Sequence, residues 1–434
     1  MSKELPKGWY IVTLFDFCRP KQWKTVSTKD LIEKGYPVYG ANGRIGFYHN
    51  FNHEKPTILI TCRGATCGTL NITEGRVWVN GNAMALDHID ERIVILKYAY
   101  FALRNRGFSD VITGSAQPQI TRESLRKIEL PLAPLNEQNR IVAKLENLLA
   151  KVESCQKRLE KIPIILRRFR QSVLAVACSG RLTTDWRKNN GFEHKEWQKV
   201  ILRQIADLRL GKMLDRSKNQ GSPARYLRNI NVRWFKLDLS NLALMQVTED
   251  EKEELEIKNG DVLICEGGEP GRCAVWNLGP TDLVFQKAIH RVRLNKEMIS
   301  DWLVYNLKND ANTGRLDEHF TGSTIKHLTG QSLAKYEFLA PSLKEQQEIV
   351  RRISELFVLA DKIEARYLKI KTQIDNLTQS ILTKAFRGEL VPQNSSEEPA
   401  KKLFEQIRVI PKENEGRRET KDKKGKSISV KRAR

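Results

Sequence analysis

The chain has 434 residues, and its 74 Lys and Arg exceed its 52 Asp and Glu by 22, which gives a pI of about 9.6. This length exceeds that of one ordinary hydrophobic core and indicates roughly three units. A positive field attracts polyanions, so nucleic acid is the favoured partner, and a basic protein without such a partner is the alternative.

The cysteines and the apolar residues argue against a secreted or membrane-spanning protein. Seven cysteines, an odd number without a CxxC pair, are typical of free thiols in a reducing compartment. The first residues contain no apolar signal-peptide core, and no apolar stretch is long enough to span a bilayer. We therefore expect a cytoplasmic protein.

Residues 9–113 form a segment that is predicted to be rich in strands. Asn42-Gly43 between β-favouring runs predicts a hairpin, and a polar loop follows the segment. The side chains of Arg, Lys, Ser and Gln donate hydrogen bonds that phosphates and base edges accept. The polar loop is equally well explained as a connection between the domain and the helix that follows. The candidate DNA contacts are Arg44, Arg63, Gly64, Ser115, Gln117 and Gln119.

A long amphipathic helix is predicted next. From Ile141 to Val176, apolar residues recur at alternating spacings of four and three, which is a heptad seam. Such a helix has about 40 residues and a length of roughly 60 Å. Pro163 predicts a kink or break near residue 162, and Gly180 stands where a left-handed cap would end the helix.

The second half of the chain repeats the first. A shift of 208 positions places Gly114–Leu182 on Gly322–Leu390 without a gap, with 22 identities in 69 positions. The heptad seam recurs from residue 349 to 381, with Lys371 in place of Pro163 and Gly388 in place of Gly180. The strand-rich segment before this copy is 20 residues longer than the first, and its candidate DNA contacts are Arg272, Ser323, Thr324 and Lys326.

The duplication predicts an α+β chain with a pseudo-two-fold internal repeat. Each long helix needs an apolar partner, and pairing the two helices as an antiparallel coiled coil satisfies both. The two strand-rich domains would then stand at opposite ends of a rod. The alternative is that each helix packs only against its neighbouring domain.

Motifs for catalysis are missing from the sequence. Gly425-Lys426-Ser427 ends like a P-loop, but Thr420 stands where the first glycine belongs. There is no Gly-x-Gly-x-x-Gly, no adenosylmethionine-type loop, no Asn/Asp-Pro-Pro-aromatic tetrapeptide and no Pro-Asp pair of a nuclease. His49, His53, Cys62 and Cys67 fit no common zinc spacing, so no metal is expected.

The two repeats resemble the specificity subunits of type I restriction–modification systems. The resemblance lies in Leu135-Asn136-Glu137-Gln138 with Ile141-Val142, in Leu343-Lys344-Glu345-Gln346 with Ile349-Val350, and in the endings at Leu182 and Leu390. It covers Trp9 to about Leu390. It implies target-recognition domains at 1–135 and 181–343 and conserved spacer helices at 136–180 and 344–390. The remaining segment, 391–434, is predicted from its basic composition to be a disordered tail.

The same resemblance implies a non-catalytic subunit that reads an asymmetric, split DNA target. Two methylation subunits with adenosylmethionine, and restriction subunits with ATP and magnesium, would be its partners, and the chain itself would hold no cofactor. The alternatives are a stand-alone DNA-binding or scaffolding protein and an enzyme fused to recognition domains. Residues expected in the coiled-coil seam or in partner docking are Ile141, Leu145, Leu148, Phe169, Ile349, Ile353, Leu356, Phe386 and Leu390.

Overall fold

The structure, a computed structural model, describes residues 5–114, 116–192, 196–215, 217 and 219–409. The chain forms two compact units. The first unit combines the residues up to Lys157 with those from Ile370 onward, and the second consists of Arg158–Lys369. Each unit thus joins one strand-rich domain to parts of both predicted long helices.

In the described residues of the first domain, nine strands and two α-helices precede the first long helix. Its central four-stranded sheet has the order β2-β8-β5-β6, and a three-stranded sheet has the order β4-β3-β7. Strands β1 and β9 form a separate antiparallel pair. The elements are β1 Tyr10–Thr13, α1 Leu14–Phe17, β2 Arg19–Gln22, β3 Tyr36–Gly40, β4 Gly43–Tyr48, β5 Ile58–Thr61, β6 Leu70–Ile72, β7 Trp78–Val79, β8 Ala83–Asp87, α2 Leu96–Arg106, β9 Glu129–Leu132 and α3 Leu135–Leu159.

The predicted hairpin is confirmed as β3–β4, in which Gly40 pairs with Gly43. Ala41 and Asn42 form the turn, and Gly43 has a φ of 96°, a value that favours glycine. Arg44 lies two residues beyond this turn, opposite Tyr39. The glycine at position 43 therefore suits the backbone conformation of this hairpin.

The second domain repeats this topology. Sheets β11-β19-β16-β17, β15-β12-β18 and β10-β20 correspond to β2-β8-β5-β6, β4-β3-β7 and β1-β9 of the first domain. An additional hairpin, β13–β14, lies between β12 and β15, where the first domain has only the turn after β3. The elements are α4 Ile162–Cys178, α5 Thr184–Asn189, β10 Gln198–Ile201, α6 Leu202–Ile205, β11 Ala206–Leu210, β12 Ser222–Leu227, β13 Val232–Arg233, β14 Lys236–Leu237, β15 Ala243–Val247, α7 Glu249–Glu254, β16 Val262–Cys265, β17 Cys273–Val275, β18 Val284–Phe285, β19 Ile289–Leu294, α8 Ser300–Thr313, α9 Gly330–Ala334, β20 Glu337–Ala340 and α10 Leu343–Ala385.

The long helices follow the sequence prediction. The first is broken between α3 and α4, and Pro163 lies in the first turn of α4, where its missing N–H costs no helical hydrogen bond. The second, α10, is continuous over 43 residues. Gly180 and Gly388 have φ values of 77° and 73°, which confirms the left-handed conformation predicted after each helix.

Antiparallel helix pairing is confirmed within each unit. In the second unit, Arg170 of α4 bonds Asp361 and Glu364 of α10 at 2.6 and 2.7 Å. Further along, Arg352 of α10 reaches back to Asp185, at 2.7 Å. In the first unit, residues of α3 and of the last part of α10 share one apolar core with the strand-rich domain.

The segment after α10 corrects one prediction. Residues 391–434 were expected to be a disordered tail, but Ala400–Val409 form a helix, α11. Ala400 and Phe404 are buried in the core of the first unit, and the Phe404 ring lies 5.7 Å from that of Tyr10. Residues 410–434 lie outside the described residues. Within the described part of the chain, no helix has the length and apolar character needed to cross a bilayer.

Candidate nucleic-acid interface

Each domain is fastened to a long helix by a tryptophan and a glutamate. Trp9 donates its indole N–H to Glu137 Oε2 at 3.1 Å, and Trp197 donates to Glu345 Oε2 at 3.2 Å. In the first copy, burial raises the pKa of Glu137, an effect that the Trp9 hydrogen bond opposes. In the second copy, Glu345 Oε1 also accepts from Arg187, at 2.7 Å.

The glutamine after each glutamate caps a helix of the same domain. Gln138 accepts the N–H of Ile95 and donates to the carbonyls of Ile93 and Ala133. Gln346 accepts the N–H of Ile299 and donates to the carbonyls of Glu297 and Pro341. The repeated Glu-Gln pair is therefore a structural joint, which orients each strand-rich domain on its helix.

Two of the predicted candidate segments meet in the first domain. Residues 113–119, here named the first tip loop, are closed by two hydrogen bonds between Thr113 and Gln119, of 2.9 and 2.8 Å. Residue 115, a predicted candidate, lies outside the described residues. The Gly64 N–H donates to the Pro118 carbonyl at 3.1 Å, so the turn that contains Arg63 and the tip loop form one surface.

The second domain builds the same junction from residues 321–327, the second tip loop. Thr321 and His327 exchange hydrogen bonds of 2.8 and 2.9 Å, and Leu328 N–H donates to the Glu266 carbonyl at 2.8 Å. The buried His290 side chain contacts the Leu328 carbonyl through Nε2 at 2.9 Å. Burial lowers the pKa of His290, so the neutral ring is favoured, with Nε2 as the donor.

The structure separates the predicted arginine candidates by their surroundings. Arg44 and Arg63 are exposed. The Arg272 side chain is only 13% exposed, because its guanidinium bonds Glu269 at 3.0 Å and the Asn229 carbonyl at 2.7 Å. Arg272 therefore has a structural role, because these contacts support the loop after β16. The tip-loop candidates Gln117, Gln119, Ser323, Thr324 and Lys326 are all exposed, and Gly64 is half-buried.

A basic cleft of the first domain was not predicted. It is lined by Arg19, Lys21 and Arg122, together with Asp87 and His88. The Lys21 ammonium lies 3.8 Å from the centroid of the Trp23 ring, which places an aromatic face and a cation beside each other. The interleaved run Arg19-Pro20-Lys21-Gln22-Trp23-Lys24 was the sequence signal that could have indicated it.

The suspected metal ligands have other roles. His53 contacts Asp87 Oδ1 at 2.8 Å and Asn52 Oδ1 at 2.7 Å. Among the described residues, no group of three His, Cys, Asp or Glu side chains could hold a metal ion. The seven cysteines are free thiols, and burial raises the pKa of Cys62 to about 11.

The candidate seam residues lie in the cores of the two units. Ile141, Leu145 and Phe386 are buried in the first unit, with Leu148 and Leu390 packed against them. In the second unit, Phe169 and Leu356 are partly buried against the same core as two fully buried isoleucines, Ile349 and Ile353. This burial accounts for their apolar character without a partner protein.

Comparison with known proteins identifies the family. A model described as "Type I restriction modification DNA specificity domain" matches residues 6–163 and 194–373, one match for each copy of the repeat. The chain belongs to this family. The two matches include both strand-rich domains of the chain.

Individual relatives agree with this assignment. The type I restriction enzyme EcoKI specificity subunit of Escherichia coli K12 is 33% identical over 312 residues, which cover 70% of this chain and 67% of the relative. A solved chain from the type I R-M system has a TM-score of 0.66 at 18% identity and covers 89% of this chain and 100% of its own length. The HsdS subunit from Thermoanaerobacter tengcongensis has a TM-score of 0.57 at 17% identity, with 89% and 99% covered. The predicted assignment as a non-catalytic specificity subunit is confirmed, in preference to a stand-alone scaffolding protein.

Proposed function

We propose that the chain recognises an asymmetric, two-part DNA target, and that each strand-rich domain reads one half. The observation that carries the proposal is that one domain architecture occurs twice, with tip loops that are closed by corresponding backbone hydrogen bonds and expose different side chains. Two unlike readers select two unlike half-sites. The phosphate contacts come from the exposed Arg44 and Arg63 and from the basic cleft of the first domain, and they fix the register of the protein on the DNA.

The unread gap between the half-sites has a fixed length in this proposal. Its support is that α10 is a single helix that contributes residues to both units. DNA readers that are joined rigidly bind half-sites at a set separation, commonly about one helical turn. The base sequence of each half-site depends on the contacts that the loops of each domain make with the DNA.

Two methylation subunits and the restriction subunits are the proposed protein partners. The duplicated helices offer two equivalent docking surfaces. Within the second unit, α4 and α10 leave large apolar side chains exposed, a composition that supports a protein-binding role. These side chains are Ile164, Ile165, Val358, Leu359 and Leu368. Adenosylmethionine, ATP and magnesium would be bound by the partner subunits, and action on DNA would place the complex in the cytoplasm.

The experiment is methylation of a random-sequence DNA pool by the chain co-expressed with its cognate methylation subunit. Modified adenines are mapped by sequencing. A split, asymmetric motif with a fixed gap is expected, and the methylation subunit expressed alone, as the control, should give no motif. A single continuous motif, or none with an active methylation subunit, would contradict the proposal.

A further inference from the structure

The two tip loops are closed by corresponding backbone hydrogen bonds and have different tips. Gly114 and Gly322 have φ values of 85° and 91°, and a Cβ atom on either would overlap the carbonyl of the residue three positions later. Thr-Gly-Ser begins both loops, at 113–115 and 321–323, and a threonine follows both, at 121 and 329. All four residues at 116–119 differ from their counterparts at 324–327.

The residues three positions after these glycines, Gln117 and Ile325, present different chemistry to solvent. Ile325 is 65% exposed, although Leu328, three residues later, is fully buried. Exposed apolar side chains are common, but this one stands at the tip of a loop that is closed by paired backbone hydrogen bonds and anchored to a central strand. Burial in the core of the domain therefore does not account for its apolar side chain.

We infer that Gln117 and Ile325 are base-reading residues, and that Gln117 reads adenine and Ile325 reads thymine through its 5-methyl group. This inference rests on the proposed function. A glutamine amide donates and accepts in one plane, which matches the acceptor and donor that adenine presents in the major groove. An isoleucine offers no hydrogen bond, and the thymine methyl is the apolar feature of that groove.

The neighbouring side chains of each loop fit this arrangement. Arg63 pairs through its backbone with Gln119, so an exposed cation lies beside the first tip. In the second loop, Lys326 follows Ile325, and its ion pair with Asp317, at 2.8 Å, is half-exposed and weak enough to exchange for a phosphate. Each tip thus has a positive charge next to a base-reading group.

The experiment compares DNA motifs methylated by the full chain, and by its variants, in complex with the cognate methylation subunit. Gln117→Ala should relax one adenine position in one half-site, with a loss of discrimination on the order of tenfold. Ile325→Ala should relax one thymine position in the other half-site. Leu278→Ala is the matched control, since this leucine is 59% exposed in the same unit and lies outside the tip loop.

Modified DNA tests the methyl contact directly. Deoxyuridine in place of thymidine at the position assigned to Ile325 should weaken binding of the unaltered chain about fourfold, as expected for one buried methyl. The Ile325→Ala variant should bind both DNAs equally.

Two outcomes separate the inference from the proposed function. If the unaltered chain yields a split motif and both variants yield the same motif, the inference is overturned and the proposed function stands. If the unaltered chain yields no split motif, both are overturned. Loss of the methylation subunit from the Ile325→Ala complex, with the motif unchanged, would identify the tip as a protein contact instead.

Discussion

Trp197 donates its indole N–H to Glu345 Oε2 at 3.2 Å, across 148 positions of sequence. The bond joins the start of the second domain to the first turn of α10. Trp9 and Glu137 make the equivalent bond at 3.1 Å in the first domain. The two joints differ in what else the glutamate binds, since Glu345 also accepts from Thr183 and Arg187 at 2.7 Å.

Replacing Glu137 or Glu345 by glutamine should therefore change the stability of the chain by different amounts. Glu345→Gln keeps an acceptor for Trp197 but removes the charge that pairs with Arg187, so we expect the free energy of unfolding to fall by about 2 kcal/mol. Glu137→Gln replaces a carboxyl whose pKa is raised by burial, and should change stability by less than about 1 kcal/mol. Urea unfolding of both variants measures the difference. Equal losses would show that the Arg187 ion pair adds nothing.

The capping glutamines should be needed for local order. Gln346→Ala leaves the N–H of Ile299 and the carbonyl of Pro341 without this partner, and we expect a cost of about 1–3 kcal/mol. Amide exchange should accelerate first at the start of α8. Gln347→Ala is the matched control, because this neighbouring glutamine is exposed. If both variants exchange equally fast at Ile299, the side-chain cap does not hold the helix.

The second tip loop should weaken in mild acid. His290 has a lowered pKa in the folded chain, so the unfolded chain binds the proton first as pH falls below the ordinary value of 6.5. Stability is therefore present above that pH and is lost below it, although Glu266 nearby moderates the effect. The protection factor of the Leu328 amide, which corrects the exchange rate for the intrinsic effect of pH, should fall between pH 7.5 and 5.5.

The first domain provides the control for this pH dependence. Met84 pairs with Ile60 at the register where His290 pairs with Ile264, so a methionine takes the place of His290 in the first domain. Exchange at Ile120, whose N–H donates to the Cys62 carbonyl, should follow only the intrinsic effect of pH. Equal changes at Ile120 and Leu328 would exclude His290 as the cause.

Local patterns in the sequence were enough to predict the helices and their interruptions. The heptad seam marked α3, α4 and α10, and Pro163 marked the break because its ring is tolerated only in a first helical turn. The order β2-β8-β5-β6 was not predicted, since its pairings join strands that are distant in sequence and carry no short-range signal. The helix Ala400–Val409 was missed in a basic stretch, although Ala400, Phe404 and Ile407 have helical spacing.

The candidate site was predicted only in outline. Sequence position identified the tip loops, because they stand at the start of each copy of the repeat. It could not distinguish an exposed arginine from a bonded one, since both arginines occur beside a glycine and close to an apolar strand. Arg63 is exposed, and Arg272 is held by Glu269 and by the Asn229 carbonyl.

Alanine at these two arginines should therefore separate recognition from stability. Arg63→Ala removes an exposed cation beside the first tip loop, so DNA affinity should fall while the free energy of unfolding changes by less than about 0.5 kcal/mol. Arg272→Ala should lower the free energy of unfolding by about 1–3 kcal/mol, because it removes hydrogen bonds that hold the loop after β16. Thermal unfolding and DNA binding at several salt concentrations measure both effects. If Arg63 contacts a phosphate, the slope of binding against salt should fall by about one for its variant, whereas relaxation at a single base position would assign it to base reading.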